Sequence, residues 1–370
     1  MVSTSGSSGI TLTTAKQVQF ALQICPDLNR KMSFSVTNQR NDSNFTTKPD
    51  ETILDAALRD NRIYPYGCRS GVCGACKSTL VAGTVDYGEY EDFVLSDEEI
   101  AQGKLLLCQA TPLEDVVIDV DEIMSGQSIQ IKMLPCRVAR IEKLAHDVMQ
   151  VFLTLPKSQH FNFIPGQYID IMLKDGQRRS FSIANLPQDL GEEGLELHIR
   201  HVPDGHFTSK VFNAMRERDL LRFEGPFGTY FLQSDSETPI ILVAGGTGFS
   251  PIKGLVEQAL STNPAQQIHL FWGARDEQDL YMNELTEKWA REHENFTYTP
   301  VLSESTSGNW AGASGWVHET VVASYDDFAG VDVYASGPPV MVDAVRDAMS
   351  TMGMQNDRFF FDSFTYAPPG

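Results

Sequence analysis

The amino-acid sequence predicts an α+β chain of several domains: a small segment of strands and helix, an antiparallel barrel and a parallel α/β sheet. The chain has 370 residues, enough for two or three domains. Residues 134–233 contain short alternating stretches punctuated by Gly and Pro, a pattern that indicates a barrel. From residue 238 onward, short continuous apolar runs alternate with helical segments, which is typical of a parallel sheet covered by helices on both faces.

The first domain is predicted over residues 32–123, after a Ser/Gly/Thr-rich tail of residues 1–31. An alternating run (FSVTN), a turn and a second short run lead to a helix signal at Asp50–Arg59. This order predicts strand, turn, strand and helix. Within the tail, the alternation from Val18 to Ile24 is compatible with either a short strand or a capped helix.

The barrel domain is predicted over residues 134–233 and the parallel-sheet domain over residues 238–370. In the second of these, the first two apolar runs are separated by a segment whose apolar residues have helical spacing. The predicted buried strands begin at Ile240, Ile268, Phe296 and Val331.

Composition and charge exclude several functions. The chain has 29 Lys and Arg residues against 49 Asp and Glu residues, a net charge of −20, which disfavours binding to nucleic acids. The longest apolar stretch, residues 239–249, is shorter than the roughly 18 residues that a membrane helix needs, and the N-terminus does not have the pattern of a secretory signal. We therefore expect a cytoplasmic monomer that binds neither membranes nor nucleic acids.

The cysteine spacing is the strongest chemical signal. Six cysteines in a chain that we expect to be cytosolic indicate metal or redox chemistry rather than a disulfide scaffold. A C-x4-C-x2-C triplet with a distant fourth cysteine is the spacing of plant-type 2Fe-2S ferredoxins. A four-cysteine zinc site is the alternative, although structural zinc usually prefers two short pairs. The candidate ligands are Cys68, Cys73, Cys76 and Cys108. The two remaining cysteines, Cys25 and Cys136, are interpreted as small apolar residues.

Two stretches in the barrel domain suggest a phosphate-bearing ring ligand. In the segment Arg178–Asn185, an arginine can hold a phosphate, an aromatic ring can lie against a flat ring, and a serine can reach a ring heteroatom. An ordinary exposed strand face is the alternative. Further along, Thr208 or Ser209 is expected to cap the following helix and leave its N-terminus available for a phosphate.

A glycine turn opens the parallel-sheet domain. Residues Gly245–Pro251 follow a predicted strand directly and precede a helix, so a dinucleotide pyrophosphate could approach the helix N-terminus. The turn lacks the lysine of a P-loop and the full G-x-G-x-x-G spacing, and a plain tight turn is the alternative. The segment Tyr334–Pro339 repeats the same arrangement at a later strand end.

Taken in order, these motifs resemble the ferredoxin reductase superfamily, in chains with an N-terminal plant-type ferredoxin module. Arg179–Ser182 (RSFS) is similar to the R-x-Y-S flavin motif, Gly225–Gly228 (GPFG) to the G-P-x-G turn, and Gly245–Pro251 to the nicotinamide-pyrophosphate loop. The loop YGC-x4-C-G-x-C and the ending FDSF resemble CDP-6-deoxy-glucoseen reductases and the reductase components of phenol, methane and aromatic-ring oxygenases. The resemblance implies a β-grasp ferredoxin domain, an antiparallel FAD-binding barrel and an α/β NAD-binding domain.

The resemblance also implies cofactors and site residues. It implies a 2Fe-2S cluster, FAD and NADH, with NADPH also open. The implied flavin-binding residues are Arg179, Phe181, Ser182, His198, Ile199, Arg200, Gly205, His206, Phe207 and Thr208. The implied nucleotide-binding residues are Gly246, Thr247, Gly248, Ser250, Pro251, Arg275, Gly337, Pro338 and Phe364. The implied catalytic residues are Ser182 and Ser336.

Two residues depart from the family pattern. Phe181 replaces the usual tyrosine, which keeps ring stacking but removes one hydroxyl contact. Ser336 stands where many relatives have the cysteine of a C-G-P motif near the nicotinamide.

The end of the second predicted strand of the NAD-binding domain bears on the choice of nucleotide. There, Arg275 could pair with a 2′-phosphate, whereas Asp276 and Asp279 would repel one, so we expect NADH to be preferred.

The resemblance implies an adaptor between a two-electron donor and a one-electron acceptor, because FAD can accept two electrons from NADH and release them singly. The expected partner is an electron-accepting oxygenase component. The alternatives are a dehydrase of sugar deoxygenation and a redox-responsive binding protein that turns over little. The acidic segment Asp86–Glu99, which contains no basic residue, is either a solvated face or a docking surface for a basic partner.

Overall fold

The computed structural model describes residues 33–123, 129–191, 193–233, 238–305 and 310–364. The predicted tail, with Cys25 and the Val18 to Ile24 alternation, lies outside the described residues, as do residues 124–128. None of the helices in the described ranges combines the length and apolar character that crossing a lipid bilayer requires.

By their contacts, the described residues form two units. The first contains the residues up to Tyr64 together with Cys76–Glu122. The second contains Pro65–Ala75 together with the residues from Ile123 onward. The loop that carries Cys68 and Cys73 therefore belongs to the second unit.

The first unit is a mixed sheet with a short helix. Its strands have the order β2-β1-β7-β3-β5, in which β1 and β7 are parallel and the other neighbours antiparallel. This confirms the predicted β-grasp fold. The strands are β1 (Ser35–Asn38), β2 (Ser43–Thr46), β3 (Lys77–Ala82), β4 (Val85–Asp86), β5 (Lys104–Leu106), β6 (Thr111–Pro112) and β7 (Val116–Asp119), and the helices are α1 (Ile53–Arg59) and α2 (Asp97–Ala101).

Helix α1 forms where the sequence signal predicts it. The Thr52 hydroxyl accepts a hydrogen bond from the amide of Asp55 at 3.2 Å and so satisfies one N-terminal donor. Arg59 in the last turn complements the helix dipole and pairs with Glu51 at 2.8 Å. One face of the helix is buried, through Ile53, Leu54, Ala56 and Ala57.

The second unit begins with an antiparallel barrel of order β11-β10-β13-β8-β9-β12. A bridge between Ile183 and Leu197 joins the two edges of this sheet. The interior is apolar and includes the buried Cys136. The strands are β8 (Lys132–Ala145), β9 (Val148–Thr154), β10 (Tyr168–Met172), β11 (Arg178–Ser182), β12 (Leu195–Arg200) and β13 (Leu220–Phe227), and the helix is α3 (His206–Asn213).

A six-stranded parallel sheet completes the second unit, with the order β17-β16-β15-β14-β18-β19. The order reverses between β14 and β18, which makes a crevice at their carboxyl ends. The strands are β14 (Ile240–Gly245), β15 (Ile268–Ala274), β16 (Phe296–Leu302), β17 (Ala313–Ser314), β18 (Asp332–Gly337) and β19 (Phe359–Ser363), and the helices are α4 (Phe249–Thr262), α5 (Asn283–Glu292), α6 (Val317–Ala323) and α7 (Pro339–Ser350).

Each face of this sheet has its own apolar core, because successive residues of a buried strand point to opposite sides. In β15, Trp272 packs on one face, where it stacks on Phe249 with ring centroids 4.0 Å apart. Its neighbour Phe271 packs on the other face among residues of α6 and α7. The predicted parallel α/β sheet is thus confirmed, with helices on both faces.

Candidate functional site

Two of the four candidate metal ligands lie on the loop of residues 65–75. The amide of Cys68 donates to the Cys73 sulfur, and the amide of Ser70 donates to the Cys68 sulfur, each at 3.4 Å. Gly71 and Gly74 both have a φ of 76°, which lets the loop fold back on itself. The hydrogen bonds from Cys73 and Ser70 lower the pKa of Cys68 to about 5. The Cys68 sulfur therefore favours the thiolate form that binds iron.

The other two candidate ligands are buried in the first unit. The sulfurs of Cys76 and Cys108 are 3.3 Å apart, and the side-chain amide of Gln109 donates to the Cys108 sulfur at 3.8 Å. Only two residues separate Cys73 from Cys76 in the chain. Four thiols, several of them receiving N–H donors, are a donor set that fits an iron–sulfur cluster.

Cys136 has a different environment. It points into the barrel core, where burial raises the pKa of its thiol to about 12. Its interpretation as a small apolar residue is therefore confirmed.

Strand β11 presents the flavin-motif residues at the edge of the barrel. Phe181 lies against Phe207, with ring centroids 5.6 Å apart. The Arg179 guanidinium donates to the Gln177 side chain at 2.7 Å and to the carbonyl of Arg178 at 2.8 Å. Among the described residues, Arg179 makes no ion pair with an acid. An arginine beside an aromatic pair is a donor set that fits a flavin and its phosphates.

Ser182 makes a contact that sequence reasoning missed. Its hydroxyl donates to Oδ2 of Asp362, on β19, at 3.2 Å. Asp362 is also the register partner of Ser336 on β18. Asp362 therefore hydrogen-bonds one predicted catalytic serine, Ser182, and lies beside the other, Ser336, in the sheet without bonding its hydroxyl. The sequence ending FDSF was a usable signal, because it places an acid in an otherwise aromatic strand.

The surroundings of Asp362 change its acidity. Burial raises the pKa of this carboxyl, the hydrogen bond from Ser182 lowers it, and a charged Cys68 raises it, to a result of about 7. Asp362 can therefore exchange a proton near neutral pH.

His198 lies in a buried network rather than on an open surface. Its Nε2 hydrogen-bonds Oε1 of Glu196 at 2.8 Å, and its Nδ1 hydrogen-bonds the Tyr281 hydroxyl at 3.0 Å. Because both ring nitrogens are engaged, a flavin contact at this position would come from the backbone. Ile199 is likewise buried in the barrel core by its side chain.

Glu196 and Lys253 form a buried ion pair that was also missed. The Lys253 ammonium donates to Oε2 of Glu196 at 3.0 Å and to the carbonyl of Ala184 at 3.1 Å. Burial raises the pKa of Glu196, but the hydrogen bond from His198 and the charge of Lys253 outweigh it and lower the pKa to about 2. The pair ties the barrel to helix α4.

The segment after β12 differs from its prediction in one respect. Helix α3 begins at His206 with Gly205 as its N-cap, and no side chain caps it. The expected cap by Thr208 or Ser209 is therefore wrong. Thr208 lies inside the first turn, and its hydroxyl accepts from the amide of Val202 at 3.1 Å. Phe207 is buried against the barrel, and His206 is exposed.

The glycine turn lies where β14 meets β18. Residues Gly246–Gly248 form a short 3-10 turn that runs into α4. A Cβ on Gly248 would lie 2.0 Å from the carbonyl of Ser336, and one on Gly246 would lie 2.6 Å from the Arg200 guanidinium. At Gly248 the clash would be with backbone, so only glycine allows this approach, and at Gly246 the φ of 54° favours glycine. The turn and the predicted flavin residue Arg200, which also pairs with Asp147 at 2.8 Å, are thereby brought together.

The remaining residues of the turn face the flavin strand or the helix core. The Ser250 hydroxyl donates to the carbonyl of Ser182 at 3.2 Å. Thr247 and Pro251 are buried. The turn is thus in direct contact with β11.

The second turn closes the crevice from the β18 side. The Ser336 hydroxyl is buried and has no hydrogen-bond partner among the described residues, so it can accept or donate to a ligand group. The amide of Phe364 donates to the carbonyl of Gly337 at 3.3 Å, and Pro338, the N-cap of α7, is exposed. An orphaned buried hydroxyl at a switch point fits a nicotinamide site.

Arg275 lies further out, at the end of β15. Its side chain is 60% exposed and its Nε is 3.6 Å from Oδ2 of Asp279. Asp279 is buried, and Asp276 accepts from the amide of Glu277 at 2.8 Å. The two acids therefore have structural contacts, while most of the guanidinium faces solvent.

Comparison with known proteins adds the cofactor classes. Three family models match the chain. The 2Fe-2S iron-sulfur cluster binding domain matches residues 36–113, the oxidoreductase FAD-binding domain residues 135–231, and the oxidoreductase NAD-binding domain residues 242–347. The first match favours the iron–sulfur cluster over zinc.

Relatives cover nearly the whole chain. It is 39% identical over 320 residues to a CDP-6-deoxy-L-threo-D-glycero-4-hexulose-3-dehydrase reductase of Yersinia pestis, which covers 86% of this chain and 95% of the relative. It is 35% identical over 339 residues to the phenol hydroxylase P5 protein of Acinetobacter pittii, which covers 90% and 94%. Among solved structures, the Amycolatopsis cytochrome P450 reductase GcoB matches with a TM-score of 0.77 and 31% identity, covering 90% of this chain and 99% of that one.

The three successive domain matches and the relatives of similar length agree with the site geometry. The thiol donor set, the arginine and aromatic pair on β11, and the glycine crevice occur in the same order along the chain as the three matched domains. The chain therefore belongs to the family of NAD(P)H-dependent iron–sulfur flavoprotein reductases, which pass electrons from a nicotinamide through FAD to a 2Fe-2S cluster.

Proposed function

We propose that this protein uses NADH to reduce a separate protein acceptor one electron at a time, and that the acceptor is an oxygenase component. The observation that best supports this electron path is the contact of Ser182 with Asp362, which pairs with Ser336 in the sheet. It joins the predicted flavin strand to the predicted nicotinamide turn within one unit. FAD, when bound, accepts a hydride and releases its electrons singly.

The nicotinamide end would be built by the two turns. Gly246–Gly248 lets the pyrophosphate approach the start of α4, and Gly337 and Pro338 bound the ring pocket. Ser336 would contact the nicotinamide ring through its unpartnered hydroxyl. Phe364, held by its amide to Gly337, would help to exclude water.

The flavin end would use side chains where they are accessible and backbone where they are not. Arg179 and Arg200 would hold the phosphates, and Phe181 would lie against the ring system. Ser182 would hydrogen-bond the ring at its reacting edge and exchange a proton with Asp362. The remaining predicted contacts are the backbone of His198 and Ile199 and the segment Gly205, His206, Phe207 and Thr208.

The four cysteines Cys68, Cys73, Cys76 and Cys108 would ligate the cluster as thiolates. The amides of Cys68 and Ser70, which donate to sulfur, would stabilise the added negative charge of the reduced form. This favours acceptance of an electron from the flavin.

We infer that NADH is preferred over NADPH. Arg275 is the single nearby cation in the segment after β15, and its Nε already faces Asp279. Thr247, Ser250 and Pro251, in the turn and helix that follow β14, carry no charge with which to bind a 2′-phosphate. The net charge of −20 further opposes the extra phosphate.

We also propose that the protein acts as a cytoplasmic monomer, away from membranes and nucleic acids. The same negative charge supports this, because it opposes contact with anionic lipid surfaces and phosphate backbones.

A second acceptor class has specific support. The identity to the hexulose-3-dehydrase reductase, 39%, exceeds the 35% identity to the phenol hydroxylase protein. The alternative is therefore a dehydrase component of sugar deoxygenation, reached by the same internal electron path.

Capture from native lysate tests the acceptor. The holoprotein is used as bait, bound proteins are identified, and each is purified and tested for reduction by NADH in the presence of catalytic amounts of the reductase. We expect an oxygenase component to be reduced; reduction of a dehydrase alone would establish the alternative. Failure to reduce cytochrome c or a redox dye with NADH would instead support a low-turnover binding protein.

A further inference from the structure

The loop of residues 65–75, which carries Cys68 and Cys73, is attached to the barrel through its backbone. The amide of Tyr66 donates to the Thr229 hydroxyl at 3.0 Å, and the Thr229 hydroxyl donates to the Tyr66 carbonyl at 3.0 Å. The amide of Thr229 donates to the same carbonyl at 3.1 Å. Thr229 lies two residues after the end of β13, so one threonine beside a barrel strand holds both backbone polar groups of Tyr66.

Tyr168 makes a second attachment one residue further along. Its hydroxyl donates to the carbonyl of Gly67 at 2.8 Å, immediately before Cys68. The Tyr168 ring is buried and lies 5.6 Å from the Phe227 ring. A Cβ on Gly228 would lie 3.1 Å from the Tyr168 ring. The ring is therefore packed tightly, and its hydroxyl has a fixed direction.

Arg69 adds a third attachment on the other side of Cys68. Its guanidinium lies 4.4 Å from the centroid of the Phe227 ring and 4.0 Å from Asp170. Its backbone has a φ of 59°, a conformation that a non-glycine residue adopts only where its surroundings hold it. Cys68 thus lies between two residues that are both fixed to the barrel.

The attachment point is next to the predicted flavin strand. Tyr168 on β10 is the register partner of Ser182 on β11. Paired residues on neighbouring strands have Cα atoms only about 5 Å apart. One hydrogen bond and one cross-strand pair therefore connect the residue before Cys68 to the residue expected at the flavin ring.

We propose that Tyr168 and Thr229 are positioning residues for electron transfer from the flavin to the cluster, because they hold the Cys68 loop at a fixed place on the barrel. This inference rests on the proposed roles of Cys68 and Ser182. In the step concerned, the reduced flavin loses one electron, and one of the two ferric ions of the oxidised cluster becomes ferrous. The second electron follows after the acceptor has reoxidised the cluster. Such transfer depends on a maintained separation, as other positioned reactions do.

The test uses the holoprotein with two informative variants and two controls. Tyr168→Phe removes the hydroxyl donor and keeps the ring. Thr229→Val removes the hydroxyl and keeps the shape, whereas Thr229→Ser keeps the hydroxyl and serves as the conservative rescue. Tyr298→Phe removes a comparable tyrosine hydroxyl, which donates to Asn283 at 2.8 Å, far from the loop in sequence.

Four quantities are measured for each protein: iron and sulfide content, deuterium exchange of the amides in residues 65–75, the rate of flavin reduction by NADH, and the rate of cluster reduction by freeze-quench paramagnetic resonance. We expect Tyr168→Phe and Thr229→Val to exchange faster in this loop and to reduce the cluster several-fold more slowly, with flavin reduction unchanged. Thr229→Ser and Tyr298→Phe should match the wild type.

Cluster reduction at the wild-type rate in both informative variants would overturn the inference, and so would flavin reduction slowed by the same factor as cluster reduction. If Tyr168→Phe loses its cluster, the comparison of Thr229→Val with Thr229→Ser decides. A wild-type protein with neither iron nor NADH-reducible flavin would be a failure of the proposed function instead, and is recognised before any variant is compared.

Discussion

At the scale of single residues, Ser336 is the most informative side chain, because its buried hydroxyl has no partner among the described residues. Hydride transfer needs a close, aligned approach of the donor carbon to the flavin. Sulfur is larger and less hydrated than a hydroxyl oxygen, so a cysteine here should press the nicotinamide more firmly toward the flavin. We therefore expect Ser336→Cys to hold or raise the rate of flavin reduction and Ser336→Ala to lower it. Stopped-flow reduction at saturating NADH measures this rate.

Both Ser336 variants should keep normal FAD and cluster absorbance, since the substitution removes or exchanges one small group. An unchanged rate in both variants would mean that Ser336 does not contact the reacting ring.

The residues that could be predicted from the sequence are those whose roles depend on close neighbours. Cysteine spacing, the glycine turn before α4 and the Thr52 cap of α1 are each set within a few residues. Asp362 and Glu196 could not be predicted in this way, because they meet Ser182 and Lys253 across separations of 180 and 57 residues. Their partners depend on which strands the fold brings together.

At the scale of elements, strand and helix types followed from periodicity, whereas one helix start did not. Thr208 was expected as a cap because threonine favours that position. Gly205 is the N-cap instead, so α3 begins at His206, three residues before the start that a Thr208 cap would give. Local preference for a cap is weak, about 1 kcal/mol, and the burial of Phe207 against the barrel core opposes a later start.

The ion pair between β12 and α4 should contribute to the stability of the second unit. Lys253→Met leaves the Glu196 carboxylate buried without its cation, and we expect a loss of about 3 kcal/mol in the free energy of unfolding at neutral pH. Urea unfolding measures the loss. The exposed Lys288→Met, which removes a cation 3.9 Å from Glu292, is the matched control and should change stability little.

The stabilisation that the ion pair contributes should depend on pH in a definite direction. The folded pKa of Glu196, about 2, lies below its ordinary value of 4.5, so its stabilisation is present above pH 4.5 and is lost as the pH falls toward 2. Without Lys253 the carboxyl can take up a proton at higher pH. The difference between the wild type and Lys253→Met should therefore shrink on acidification; a difference that stays constant as the pH falls from 4.5 toward 2 would contradict the assignment.

At the scale of the whole molecule, loss of one cluster ligand should abolish the cluster without affecting the reduction of FAD by NADH. The proposed flavin residues lie on β11, β12 and α3, and Cys73 is on none of these. We expect Cys73→Ala to lose the iron–sulfur absorbance while FAD stays bound and is still reduced by NADH. Metal analysis after anaerobic purification is the check, and zinc in the wild type in place of iron and sulfide would refute the cluster.

The acidic segment Asp86–Glu99 is a candidate docking surface for a basic partner, with a solvated face as the alternative. It contains the exposed Phe93, and a Cβ on its Gly88 would lie 2.7 Å from the carbonyl of Gln109, the neighbour of Cys108. Lys77, which lies outside this segment, pairs with Glu99 at 2.6 Å. We expect the combined change Glu89→Gln, Glu91→Gln and Asp92→Asn to slow partner reduction on the order of tenfold at low salt.

The same triple variant should reduce a small neutral dye at the wild-type rate, and the difference in partner reduction should disappear at high salt. Partner reduction that is indifferent to ionic strength would argue that the acidic segment is a solvated face.

The order in which the cofactors are reduced tests the central claim most directly. Wild-type holoprotein is mixed anaerobically with NADH, and flavin absorbance and the paramagnetic signal of the reduced cluster are followed together. We predict that the flavin is reduced first, that the cluster signal follows, and that protein freed of FAD shows no cluster reduction at all. Cluster reduction that precedes flavin reduction, or that proceeds without FAD, would contradict the proposed path from NADH through FAD to the cluster.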